Sequence, residues 1–146
     1  MAMDRQGTGL AIARVSLGAF FIAEALSKYQ WLMDSSILAG RLGGWLATSA
    51  PGSSARAYLE HFAIPGVVYF ARLVPLGEFC CGVALLVGFW TPLFASVAFL
   101  LALNFDFASG QFLRLGFFTS AYGLPVLGPT LGLAIGGVRL PWSIRS

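Results

Sequence analysis

Charge is what this chain has least of. Nine basic and six acidic residues, fifteen among 146, make 10% of the sequence, while 58% is hydrophobic. A soluble domain carries about 25% charged residues. So few cannot cover a globule of this size, which excludes an ordinary soluble domain and a disordered chain. The net charge of +3 is spread thinly rather than gathered in a basic run, which excludes a nucleic-acid binder. Histidine is nearly absent. His61 alone excludes a bis-histidine haem and a histidine-rich metal site, and leaves open a single axial bond to haem or chlorophyll. The blander reading of His61 is an interfacial polar side chain. Cys80 and Cys81 are adjacent, so on a helix their side chains point about 100° apart and cannot pair without distortion. They read as small apolar fillers. The sequence has no phosphate-cradling glycine loop and no credible nucleophile–histidine–acid set, so self-contained hydrolysis or phosphoryl transfer is not expected.

What is present is apolar sequence in long runs. A spanning helix needs about 20 apolar residues, and four stretches qualify, at about 10–32, 65–87, 92–109 and 113–137. Gly88 to Thr91 and Ala108 to Gln111 are turns too short for anything but antiparallel neighbours, and Pro92 suits a first helical turn. The expected fold is all-α: one integral membrane four-helix bundle across 1–146. Residues 33–64 form an extramembrane excursion, with short interfacial helices on either side of Pro51. Trp31, Trp45, Trp90 and Trp142 fall at or beyond span ends, where indole rings settle. Glu24 and Lys28 interrupt the first run, which reads as a retained span rather than a signal peptide. Both termini then share a side with Arg5, Arg14, Arg139 and Arg145, which favours a cytoplasmic placement. A bacterial inner membrane is the expected location.

Gly128, Gly132 and Gly136 recur every fourth residue and predict a close-packed helix face, within the bundle or as a seam for another subunit. Gly77 and Cys81 make a milder version. Pro75, Pro125 and Pro129 lie inside apparent spans and predict kinks.

Ionisable groups inside spans are the informative ones, because burying one costs about 3 kcal/mol even on permissive scales. Glu24 and Lys28 share a face of the first span, Arg72 and Glu78 flank Pro75, Asp106 ends the third span and Arg114 opens the fourth. Depths counted along the helices predict that Glu24, Lys28, Arg72, Asp106 and Arg114 meet in the half opposite the termini. Glu78 joins them from below or reaches Arg14. Arg72 is expected to pair with Glu24 or Glu78. The cluster reads either as mutually satisfied ion pairs or as a pocket for a small ligand, a quinone head group or a proton.

The order of motifs resembles the DoxX/DoxD-like membrane family, which includes the small membrane subunit of thiosulfate:quinone oxidoreductase. The resemblance rests on Ala13 to Gly18 continuing to Ala25-Leu26-Ser27-Lys28, on Gly77-Glu78 and the glycine-rich run to Thr91, on Leu103-Asn104-Phe105 before Ala108-Ser109-Gly110, and on Gly136 to Arg139 with Trp142-Ser143. Arg14, Lys28, Glu78 and Asn104 match family positions. The resemblance implies a four-helix membrane protein tied to quinone or sulfur redox chemistry, often within a larger complex.

Three functions compete. The first is a redox-associated membrane subunit that binds quinone near the charged cluster, with other subunits of a membrane redox complex and lipids as partners. The second is a noncatalytic accessory subunit of a respiratory or photosynthetic assembly, contacting pigments, lipids or neighbours. The third is a small transporter or proton-handling protein using Glu78. No cofactor is encoded by a motif, so any electron carrier is borrowed.

Overall fold

The computed structural model describes residues 5–145, and the described residues hold seven α-helices and no strand. Three helices are long and apolar enough to cross a membrane: α1 (Arg5–Ser27), α4 (Val67–Val87) and α5 (Thr91–Ala108). Between the first two lie α2 (Ser36–Thr48) and α3 (Ser54–Tyr58), and after the third come α6 (Leu115–Thr119) and α7 (Leu124–Gly136). α4 packs on α1 and α5, and α7 packs on α5 and α1.

The turn between α4 and α5 forms where the sequence places it. Gly88 takes a left-handed φ of +72°, a conformation glycine adopts without steric cost. The Phe89 amide then donates back to the Ala84 carbonyl at 2.8 Å, and Pro92 occupies the first turn of α5. The chain's tail returns to this turn. Ile144 N donates to Val87 O at 3.1 Å, and Trp90 N donates to Arg145 O at 2.8 Å.

α1 and α4 touch through backbone. A Cβ on Gly18 would lie 2.7 Å from Leu86 N, and one on Gly82 would lie 2.8 Å from Ile22 N. These two glycines, not the stripe on α7, make the close approach. Gly128, Gly132 and Gly136 face outward, with nothing within 4 Å of a Cβ at the first two and only Leu10 Cδ1, at 3.8 Å, near the third. The expectation that they pack within the bundle is therefore corrected.

The expected fourth span is also broken. The segment from Ser120 to Gly123 interrupts it, leaving the five-residue α6 and the 13-residue α7. At 1.5 Å per residue α7 is about 20 Å long, short of the roughly 30 Å hydrocarbon layer. Pro125 sits in its first turn, where a missing N–H costs nothing, while Pro129 and Pro75 are interior.

Two helices do flank Pro51, as expected. They do not stand apart from the bundle. Leu38, Leu42, Leu59 and Ala63 share a buried cluster with Trp31, Ala71, Val74, Phe105 and Ala108. Trp31 is thus 3% exposed, packed against protein just past the end of α1. Trp90 and Trp142 are exposed at the other end.

Candidate functional site

The site is centred on Lys28, one residue past the end of α1. Helical side chains lean toward their own N-terminus, and the Lys28 ammonium is 3% exposed among partners from three parts of the chain. It donates to Glu24 Oε2 at 2.7 Å, one turn back on α1, and to Glu78 Oε1 and Oε2 on α4 at 3.1 and 3.0 Å. It also donates to the Tyr122 hydroxyl, which the α6–α7 connection supplies. That hydroxyl lies 2.7 Å from Glu24 Oε2 and 2.7 Å from Glu78 Oε1.

Aromatic rings close the site. The ammonium is 5.1 Å from the Tyr122 ring centroid, 5.4 Å from Phe105 and 5.9 Å from Trp31, all within cation–π range. Phe105 and Tyr122 stack with centroids 4.7 Å apart. The Arg41 guanidinium of α2 covers Trp31 at 5.3 Å. Glu78 is fully buried, whereas the Glu24 side chain keeps 26% exposure. Glu24 is the open end of the cluster.

Glu24, Lys28 and Glu78 therefore meet as expected, and the other charges do not join them. Arg72 is exposed, and its guanidinium donates to the Val68 carbonyl of its own helix at 2.7 Å. It pairs with neither Glu24 nor Glu78, contrary to the expectation from depth, because its azimuth around α4 turns it outward. Asp106 is buried but stands apart, accepting from Ser120 Oγ at 3.3 Å while its Oδ2 has no partner. Arg114 is exposed on the α5–α6 turn. Glu78 does not reach Arg14, which donates instead to Ser143 Oγ at 2.5 Å and the Trp142 carbonyl at 2.9 Å. Fourteen residues of helix put Arg14 about 21 Å from Lys28.

Tyr122 was missed. Its one signal is a phenol in an otherwise apolar stretch beside Ser120 and Gly123, which reads from sequence as part of a span. A second polar pair lies close by, with Tyr58 OH donating to Asn104 Oδ1 at 2.5 Å. Burial pushes the Tyr58 phenol above its ordinary range, and the bond to Asn104 partly offsets this. His61 is exposed on the π-helical turn Leu59–Ala63. The described residues hold no group of three His, Cys, Asp or Glu able to bind a metal. Cys81 is buried in the core and Cys80 is exposed, both as free thiols.

Lys28 donates to both carboxylates and to the Tyr122 hydroxyl, which carries one further hydrogen for the carboxylate oxygens. The phenol has a single hydrogen but lies at bonding distance from both acids. The set can therefore pass a proton from one carboxylate to the other without moving a heavy atom. It is less suited to a quinone ring. The four polar groups spend their hydrogen bonds on one another, and an apolar groove of about 110 Å³ between α1 and α4 is lined by Ala25, Leu26, Tyr29, Leu32, Pro75, Leu76 and Phe79 but by none of the four. The apolar cavity behind Phe105 is about 30 Å³.

Comparison with known proteins agrees with the motif order. The sequence profile of the DoxX family matches residues 9–107, from the first helix through Phe107 near the end of α5. No curated protein and no solved structure matches the chain. The match covers more than half of the sequence and includes Glu24, Lys28 and Glu78 together with α4 and most of α1 and α5, and the chain belongs to the DoxX family of integral membrane proteins.

Proposed function

We propose that this chain is a proton-handling subunit of a quinone-linked membrane redox assembly. The observation that carries the proposal is the Tyr122 hydroxyl, 2.7 Å from the carboxylates of both Glu24 and Glu78, with Lys28 bonded to all three. Reduction of a quinone to a quinol takes up two electrons and two protons, so such an assembly needs sites that deliver protons inside the membrane. Glu24, partly exposed, receives the proton. Tyr122 passes it on, and Glu78 holds it at the buried end. Lys28 fixes the positions of both acids and keeps the local charge low. Because a quinone ring does not fit among these four groups, the quinone and the electron carrier belong to the partner subunits. The resemblance to the small membrane subunit of thiosulfate:quinone oxidoreductase supports this division of labour.

The accessory-subunit reading is favoured by one further observation. Gly128, Gly132 and Gly136 leave the outer face of α7 open to a neighbouring helix, and small residues at this spacing permit close contact in lipid. Both readings place the chain among other subunits, in a bacterial inner membrane with its termini on the cytoplasmic side.

The test is quinol formation in membranes that contain the intact assembly, followed with proton uptake. Glu78→Gln should slow both by roughly a hundredfold, within the range lost with a positioned acid–base group, and Arg72→Gln should leave both unchanged. Equal rates for Glu78→Gln and the unaltered protein would sink the proposal.

A further inference from the structure

A second polar site lies away from the Lys28 cluster, between the α2–α3 bend and the α5–α6 turn. There a cavity of about 260 Å³ is lined by Thr48, Ser49, Ser53, Ser54, Ser109, Gln111 and Arg114, with Phe107 and Phe112 among its apolar walls. Arg114 forms no ion pair among the described residues, whose pairs are Lys28 with Glu24 and Glu78, and Arg56 with Glu60. It therefore brings an uncompensated cation with five donors. Thr48, Ser49 and Ser109 spend their hydroxyl hydrogens on backbone carbonyls. The Ser53 hydroxyl accepts from Arg56 N and keeps its own hydrogen, as does Ser54.

The surroundings say what would bring an anion here. Phe112, Leu113, Leu115 and Phe118 are 41%, 72%, 81% and 54% exposed on either side of Arg114. A run of exposed apolar side chains around one arginine suits the boundary where acyl chains meet phosphates. We infer that this cavity receives the phosphate of an anionic phospholipid, with Arg114 on the phosphate, Ser53 and Ser54 within reach of its oxygens, and the flanking side chains among the acyl chains. No acidic residue lines the cavity, so nothing there meets the cation of a choline head. The site favours a net-negative head such as phosphatidylglycerol. This inference does not rest on the proton-handling proposal.

The test is native mass spectrometry of the full chain, extracted from vesicles of equal phosphatidylglycerol and phosphatidylcholine. One retained phosphatidylglycerol is expected, preferred over phosphatidylcholine by roughly fivefold, which is the effect of one arginine at an anionic surface. Arg114→Gln should abolish the preference. Ser54→Ala should weaken it, and Arg139→Gln, an exposed arginine outside the cavity, should leave it intact. Equal losses in Arg114→Gln and Arg139→Gln would mean general attraction and overturn the site. Thermal stabilisation by inorganic phosphate alone, removed by Arg114→Gln and without any lipid preference, would overturn the lipid assignment in favour of a free oxyanion.

Discussion

Glu78 Oε1 and the Tyr122 hydroxyl lie 2.7 Å apart although 44 residues separate them in the chain. The contact joins the middle of α4 to the α6–α7 connection and completes the set around Lys28. Removing only the hydroxyl isolates its role. Tyr122→Phe keeps the ring that stacks on Phe105 and removes the single O–H that the two carboxylates share. A loss of about 1–3 kcal/mol is expected, measured by denaturation in mild detergent, with proton uptake falling further than stability does.

Lys28 pairs with a fully buried Glu78 and a partly exposed Glu24, so its removal is expected to act chiefly through Glu78. Lys28→Met strands a carboxylate in the core and should cost about 3–5 kcal/mol. The double variant Lys28→Met with Glu78→Gln should recover a large part of that loss. Additive effects in this cycle would show that the two groups do not interact.

The two sets of glycines should respond oppositely. Gly18→Ala pushes a methyl group to 2.7 Å from Leu86 N, where backbone has to yield, and should lower stability by about 1–3 kcal/mol. Gly132→Ala meets nothing within the chain and should be neutral or gain up to about 1 kcal/mol from helix propensity. Thermal denaturation of the isolated protein reads both. A Gly132→Ala variant stable alone but poorly retained by its assembly would place a partner helix on that face.

Arg14 ties the tail to α1 through Ser143 and Trp142. Arg14→Met should release the tail from the α4–α5 turn. Hydrogen exchange at the Trp90 amide, which donates to Arg145 O, should then accelerate by at least roughly tenfold, the equivalent of one net hydrogen bond of about 1.4 kcal/mol. Unchanged protection would show that backbone pairing alone holds the tail.

Hydropathy and turn residues suffice to detect α1, α4 and α5, because crossing hydrocarbon is a demand each segment meets locally, though α1 runs Arg5–Ser27 and ends five residues before the expected bound at 32. The Glu24–Lys28 pairing is equally local, one helical turn apart. The fourth span is misread for the same reason: an average over 113–137 hides a break at Ser120 to Gly123 that only hydrogen bonding and packing reveal. Arg72 and Glu78 are six residues apart on one helix, and depth favours Arg72 for the cluster, yet Arg72 faces outward and Glu78 inward. Which side of α4 turns toward α1 is set by the backbone contact of Gly18 with Gly82, and no count along the chain contains that. Composition and periodicity decide that this protein lives in lipid and where its chain crosses. Partners 50 and 94 residues from Lys28 meet it only because three separate segments pack around it, and burial there makes their charges cost too much to leave unpaired.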